Sequence, residues 1–226
     1  MTEVLNNIPF KLDADTIMKV MRVRRANSLT GQVVREIAGQ ISSIARPKAA
    51  YTMSWVENKG EDSVQIDGVS FVSKVLRKNL DAVERVFPYV ATCGTEVESL
   101  AFPGDAMKAY WLDAIKMTLV GMASAYLTDH LKKRFALGQT AHMNPGSLAD
   151  WPLTQQRRLF SLLGDVEKLI GVRLTESSVM YPLKSVSGII FPTEVRFESC
   201  QLCPREKCPG RRMAYSSEMA REYLGK

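Results

Sequence analysis

Apolar residues recur at helical spacing along much of the chain. Between 33 and 44, valine and isoleucine repeat every three or four residues, and Arg46-Pro47 ends the run. The stretch that Pro103-Gly104-Asp105 opens is apolar on nearly all sides up to about Phe135, so we expect a buried helix in the core. Further helices are predicted over 13–23, over 70–79, and from Asp150 as N-cap to Gly171.

Runs of strand-forming residues separate these helices. The segment 50–56 and the alternating run 64–66 flank the turn-forming residues 58–62, which predicts a hairpin. Residues 136–148 are predicted to form a loop. Other short strands are predicted over 83–92, 172–174, 178–180, 188–191 and 194–197. The predicted fold class is therefore α+β, an antiparallel sheet packed with helices, with a helical N-terminal segment and a Cys-rich C-terminal tail.

Charge does not identify a partner. The 226 residues include 30 Lys and Arg and 24 Asp and Glu, a formal net charge of +6. A basic balance is compatible with nucleic acid, anionic membranes or an acidic protein. The denser basic clusters, 22–25, 132–134 and 205–212, are accompanied by no helix-turn-helix, zinc-finger or RNA-binding signature. The sequence therefore does not favour nucleic acid, and the first two clusters fit solvated helix faces.

Hydropathy argues against a membrane protein. The most apolar stretch, 109–127, contains Asp113 and Lys116, which predicts a buried helix rather than a membrane span. The first nine residues lack the charged start and apolar centre of a signal peptide. We therefore expect a cytoplasmic protein with no membrane partner, in which structural disulfides are disfavoured.

Three cysteines of the tail lie within nine residues. Cys200, Cys203 and Cys208 stand on a turn-rich segment, where short spacing lets several thiolates converge on a soft metal, and neighbouring Arg and Lys favour deprotonated sulfur. They predict an iron–sulfur cluster with one open position, or zinc with a fourth donor. The candidate fourth donors are Cys93, His142 and His130, although Cys93 also fits a small buried residue beside Gly94. The alternative is reduced thiols without metal, or one adventitious disulfide.

Several separated runs of the sequence resemble one family. Gly171 to Ser177, then Met180-Tyr181-Pro182 and Ser185 to Gly188, follow the order and spacing of the activation domain of cobalamin-dependent methionine synthase. Asn144-Pro145-Gly146 followed by Asp150 to Leu153 resembles stand-alone relatives found beside corrinoid methyltransferases. The similarity covers roughly 31–197. It divides the chain into an N-terminal helical extension (1–30), an activation-domain-like domain (31–197) and a Cys-rich basic tail (198–226).

The resemblance implies a function. In methionine synthase this domain binds S-adenosylmethionine and holds it over the cobalamin of a neighbouring domain. One electron and the methyl group then restore methylcobalamin after the cobalt has been oxidised. The protein contributes placement rather than acid–base chemistry. The implied partner is a corrinoid protein or a corrinoid-dependent methyltransferase, and the implied cofactors are S-adenosylmethionine and the cobalamin of that partner.

The family's ligand-binding residues are only partly present. The family loop Arg-Pro-Ala-Pro-Gly-Tyr aligns on Pro145-Gly146, which places His142 at the Arg position and Ser147 at the Tyr position. The Glu that the family carries on the preceding long helix aligns with Gly121. The charges that would pair with the amino acid end of S-adenosylmethionine are therefore replaced by Gly121 and His142. The cofactor-binding residues that the resemblance predicts in this chain are His142, Asn144, Gly146 and Ser147.

Three functions remain open on the sequence. The first is an accessory or reactivation protein for a corrinoid-dependent methyltransferase that uses S-adenosylmethionine to remethylate cobalt. The second is a metal-binding or iron–sulfur redox module on the same fold that has lost S-adenosylmethionine binding. The third is an interaction protein that docks on a corrinoid protein without a cofactor of its own.

Overall fold

The computed structural model describes residues 1–20, 23, 28–208 and 210–225. Within these ranges the fold is α+β, as predicted. The helices are α1 (Ala14–Val20), α2 (Ser28–Ile44), α3 (Lys74–Asn79), α4 (Ala106–Phe135), α5 (Gln156–Leu163), α6 (Val166–Ile170) and α7 (Ser217–Leu224). The strands are β1 (Glu3–Leu5), β2 (Lys48–Tyr51), β3 (Ser54–Lys59), β4 (Ser63–Ile66), β5 (Val69–Val72), β6 (Arg85–Thr92), β7 (Thr140–Met143), β8 (Arg173–Leu174), β9 (Met180–Tyr181) and β10 (Ser185–Pro192). Short 3₁₀ turns cover Glu96–Ser99, Leu153–Gln155 and Ser199–Gln201.

Strand β6 is the centre of the main sheet. It pairs with β10 along one edge and with β2 followed by β3 along the other. The sheet grows outward from these neighbours: β1 pairs with β2, β7 pairs with β10, and β4 lies between β3 and β5. All of these pairs are antiparallel, which confirms the predicted sheet type. Strands β8 and β9 form a separate two-stranded sheet.

Both faces of β6 are covered by helices. Phe87, Tyr89 and Ala91 point to one face and pack with the second half of α4. Val90 points to the other face and packs with Ala50 and with α5 and α6. Seven successive residues of β6 are buried, because successive side chains of a strand alternate between two covered faces. The sheet and α4 together therefore form the centre of the core.

Helix α4 spans 30 residues and is buried on one side. The Asp105 carboxylate accepts a hydrogen bond from the Lys108 amide at 2.9 Å and caps its start, and Ala136 ends it in the left-handed conformation at φ 51°. Its first half packs against α1 and α2. The sequence analysis predicted a buried helix, yet Met117 and Tyr126 on its other side are exposed. Among the described residues, no helix has both the length and the apolar character that a membrane crossing requires.

Some local predictions were wrong. Residues 69–72 form β5 rather than the start of a helix, because the turn at Asp67-Gly68 reverses the chain and pairs it with β4. The predicted loop 136–148 contains β7, and the predicted strand 194–197 is irregular. The predicted helix from 150 to 171 is divided at Gly164, which adopts φ 78°. Met21 of the first predicted helix and Arg22, Arg24 and Arg25 of the basic cluster lie outside the described residues.

Asp150 caps a different helix from the predicted one. Its carboxylate accepts hydrogen bonds from the Ser73 hydroxyl and from the backbone amides of Lys74 and Val75, at 3.2 and 3.0 Å, at the start of α3. The Ser73 hydroxyl also accepts a hydrogen bond from the Leu76 amide at 2.9 Å. The orphan amides of a six-residue helix are thus satisfied by a residue about 75 positions away, which ties α3 to the segment that leads into α5.

We expect Asp150→Ala to lower the free energy of unfolding by about 1–3 kcal/mol, because it leaves amides at the start of α3 without their acceptor. Urea denaturation followed by circular dichroism measures the change. Asp81→Ala is the matched control: Asp81 is exposed and pairs with Arg77 on the surface, so its loss should cost less than about 0.5 kcal/mol. Equal effects of the two substitutions would contradict the capping role of Asp150.

Candidate ligand-binding groove

A groove of about 860 Å³ lies between α4, the loop after β7 and the segment 179–187. Its volume is within the range of small-molecule sites. The floor of the groove consists of Tyr89 from β6 and Ser187 from β10. His142 and Arg212 also line the groove. The other residues that line the groove are Met117, Val120, Gly121, Ser124, Ala125, Thr128, Asn144, Pro145, Gly146, Ser147, Leu153, Gln156, Val179, Met180, Leu183, Ser185 and Val186.

The α4 wall of the groove is built from small residues. Gly121, Ser124, Ala125 and Thr128 are spaced three, four and seven residues apart and therefore lie on one helix face. A Cβ atom at Gly121 would have no heavy atom within 4 Å, so there is space beside the helix at this position. The sequence analysis singled out only Gly121. The signal it missed is the row of small residues, which marks a helix face that leaves room for a ligand.

Asn144 fixes the floor of the groove. Its side-chain Nδ2 donates hydrogen bonds to the Tyr89 hydroxyl at 3.0 Å and to the Ser187 carbonyl oxygen at 2.6 Å. Gly188 makes this approach possible, because a Cβ atom there would overlap the Met143 carbonyl oxygen and the Asn144 amide. Burial raises the pKa of Tyr89, so its hydroxyl stays protonated.

A second polar network lies beneath the groove. The Gln156 side chain is buried; its Nε2 donates to the Ser178 carbonyl oxygen, and its Oε1 accepts from the Ser187 hydroxyl, each at 2.9 Å. The run Ser185 to Gly188 lies on β10. The run Thr175 to Ser177 forms a turn, in which the Val179 amide donates to the Thr175 hydroxyl at 3.1 Å. Gln156 thus connects the turn at Ser178 to Ser187 on β10 beneath the groove.

The loop from Asn144 to Ser147 is held by its own backbone. The Ser147 amide donates to the Asn144 carbonyl oxygen at 3.1 Å, and the Gly146 amide donates to the Trp151 carbonyl oxygen at 2.7 Å. Gly146 adopts φ 84°, which favours glycine, and both Gly146 and Ser147 are exposed. Since these two amides are already used, a ligand would meet the side chains and carbonyl groups of this loop.

The four residues predicted to bind a cofactor, His142, Asn144, Gly146 and Ser147, all line this groove. The structure therefore brings them together, and their contact with a ligand stays a prediction.

His142 accepts a hydrogen bond from the tail. Its Nε2 lies 3.3 Å from Nη1 of Arg212, and because a guanidinium only donates, Nε2 must be the acceptor. The ring is then neutral, with its hydrogen on Nδ1. Burial lowers the pKa of His142, and the charge of Arg212 lowers it further, against a weaker opposing effect of Glu198. Nη2 of Arg212 lies 2.9 Å from Oε2 of Glu198.

Arg212 is the groove residue that the sequence analysis missed. It was placed only in a basic cluster beside the cysteines, and no motif links it to a histidine 70 positions earlier. The sequence analysis ended the resemblance at 197, so it gave no alignment for Arg212.

The predicted metal donors are not assembled. Among the residues that the structure describes, no group of three or more His, Cys, Asp or Glu side chains is placed to hold a metal ion. The loop of Cys200, Cys203 and Cys208 is organised by Arg211, whose guanidinium donates to the carbonyl oxygens of Cys200 at 3.0 Å and of Cys203 at 3.1 Å. A metal at these three cysteines stays a prediction.

The candidate fourth donors lie in different surroundings. Cys93 is buried in the cluster that α1, α2 and α4 form, and burial raises the pKa of its thiol to about 12, so the thiolate is disfavoured. His130 lies on α4 with its Nε2 3.0 Å from the Tyr51 hydroxyl. His142 lines the groove.

Comparison with known proteins supports the resemblance. The model of the family described as vitamin B12 dependent methionine synthase, activation domain, matches residues 134–206. Among solved structures, the chain is similar to the crystal structure of the MetH reactivation domain bound to AdoHcy, with 16% identity, a TM-score of 0.59, and coverage of 100% of this chain and 89% of that chain. No curated protein sequence matches the chain. The likeness to the solved structure establishes the fold, and with the family match it confirms the predicted resemblance.

The lowered pKa of His142 predicts a specific pH dependence of stability. The folded state favours the neutral ring, so its contribution is present above the ordinary histidine pKa of 6.5 and is lost as the pH falls below that value. We expect the loss to be no steeper than about 1.4 kcal/mol per pH unit, the slope of one proton. Urea denaturation between neutral and mildly acidic pH measures it.

His142→Gln removes the titrating ring and should flatten this part of the pH profile. His130→Gln leaves His142 in place and should keep the acid-dependent loss. A profile that is unchanged in His142→Gln would show that the ring of His142 is not the group responsible.

Proposed function

We propose that this chain, which has the fold of the methionine synthase activation domain and matches that family over 134–206, is an accessory protein of a corrinoid-dependent methyltransferase. Its groove binds S-adenosylmethionine or S-adenosylhomocysteine and presents the bound molecule to the cobalamin of a partner protein. The function is to help keep that cobalt methylated.

The position of the groove carries the proposal. The matched segment includes the loop that begins at Asn144, the floor residue Ser187 and the buried Gln156. The similar solved structure is a reactivation domain bound to AdoHcy. A groove of the right size on the matched segment therefore supports a ligand of the same adenosyl class.

The residues of the groove fit such a ligand. The small side chains on α4 leave space for a flat or extended molecule, and polar groups of Ser124, Thr128 and Ser147 line the same space. Bound S-adenosylmethionine would supply an electrophilic methyl group. The protein's own residues would orient it and exclude water, because the groove offers a neutral His142 and a protonated Tyr89 rather than a poised acid–base pair.

The side chains at the mouth of the groove support the proposal of a protein partner. Three of the lining residues are large and apolar and remain exposed: Met117 at 50%, Leu153 at 38% and Leu183 at 70%. Apolar side chains grouped around a ligand site favour contact with another macromolecule. A corrinoid protein that brings its cobalamin to the groove would cover them.

Isothermal titration calorimetry with S-adenosylhomocysteine and S-adenosylmethionine tests the ligand. We expect saturable binding of both at micromolar to roughly millimolar concentration, since the amino acid end of the ligand has lost contacts worth about 1.5–3 kcal/mol each. Met107→Ala is the matched control, because this exposed methionine lies near the start of α4 and outside the groove lining, and it should change the affinity by less than about threefold. An absence of heat at millimolar ligand would remove this ligand class from the proposal.

Gly121→Glu should tighten the binding of S-adenosylmethionine. The resemblance places a family Glu here, and the open space beside Gly121 accommodates the longer side chain. A restored charge-assisted contact to the α-amino group predicts roughly a tenfold gain or more. Gly121→Gln is the matched control, because it adds the same bulk and helix propensity without the charge. Equal affinities of the Glu and Gln variants would contradict the predicted placement of the amino group.

A further inference from the structure

One ionised side chain lines the groove among the residues that the structure describes. Among the lining residues that the structure describes, Arg212 is cationic, His142 is held neutral, and none is an Asp or Glu. The charge of the lining therefore lies at one end of the groove, on a half-exposed guanidinium that pairs with Glu198. A ligand with an anionic group at that end would gain an interaction that a neutral ligand lacks.

Two partners hold Arg212 in place, one on β7 and one in the tail. His142 on β7 accepts from Nη1 at 3.3 Å, and Glu198 pairs with Nη2 at 2.9 Å. A guanidinium has five N–H donors, so two such contacts leave donors for a further acceptor. The exposed fraction of the Arg212 side chain is 53%, compared with 24% for Glu198, so the guanidinium is the more accessible member of the pair.

Arg211 organises the loop that carries Arg212. The guanidinium of Arg211 donates to the carbonyl oxygens of Cys200, Cys203, Arg205 and Met213, so the described parts of this loop, 200–208 and 210–213, close around it. Leu202 is buried in a core cluster that also contains Trp151 and Phe197, and this contact anchors the loop to the domain. The cysteine loop thereby becomes a scaffold that presents Arg212 at the groove.

We propose that Arg212, carried by the C-terminal tail, is the carboxylate-binding residue of the groove. It supplies from the tail the cation that the loop position of His142 lacks, and His142 serves as the acceptor that orients it. The proposal rests on the proposed function, since it names the part of the adenosyl ligand that this residue recognises: the carboxylate of its amino acid end.

Two ligands that differ in this group separate the roles. S-Adenosylhomocysteine carries the amino acid end, whereas 5′-methylthioadenosine keeps the adenosine and the thioether and lacks that end. Calorimetry on the full chain compares both ligands with the wild type, with Arg212→Gln, and with Arg221→Gln, an exposed arginine on α7, as the matched control. Thermal unfolding of each variant confirms that it is folded.

We expect Arg212→Gln to weaken S-adenosylhomocysteine about ten- to hundredfold and to leave 5′-methylthioadenosine within about twofold. Arg221→Gln should change neither. If Arg212→Gln leaves S-adenosylhomocysteine unchanged, or weakens both ligands equally, the role of Arg212 is wrong while the proposed function stands. If the wild type binds neither ligand, the adenosyl ligand of the proposed function and the role of Arg212 fail together.

Discussion

The close approach of two strands at Gly188 is the contact on which the groove depends. Because Gly188 has no side chain, the end of β7 can lie against β10, and the Asn144 amide reaches both Tyr89 and Ser187. These hydrogen bonds fix the start of the loop that forms one wall. They also hold a buried tyrosine hydroxyl and a strand carbonyl, which would be costly to leave unpaired. The floor of the groove is thus rigid because its polar groups are satisfied by one another.

Features that depend on local spacing could be predicted from the sequence, and those that depend on distant partners could not. The helix that ends at Phe135 and the hairpin around Gly60 follow from periodicity and turn residues, and both are present. Strand β7 is different: four residues without a strong pattern become a strand only because β10 offers an edge to pair with. Asp150 has the side chain of a helix cap, but its sequence position does not reveal that the helix it caps is α3.

The same distinction applies to the residues of the groove. The four predicted residues could be named because separated runs resemble a known family, and the structure gathers them around one groove: His142, Asn144, Gly146 and Ser147. Arg212 could not be named, since it reaches His142 through a loop whose shape depends on a guanidinium binding four carbonyl oxygens. Such a loop leaves no periodicity or spacing in the sequence. Its most visible feature, the three cysteines, pointed toward metal chemistry instead.

The two charge changes on the domain and the arginine of the tail are best understood together. By the alignment of the resemblance, Gly121 and His142 stand where the family has a carboxylate and a guanidinium, a pair of opposite charges, so either change alone would unbalance the groove more than both. In the proposed role, Arg212 of the tail restores one member of that pair at the His142 end. The groove would then be selective for the anionic part of a ligand and would not discriminate its amino group. Because Arg212 belongs to a loop anchored through Leu202, this role would couple ligand affinity to the folding of the tail.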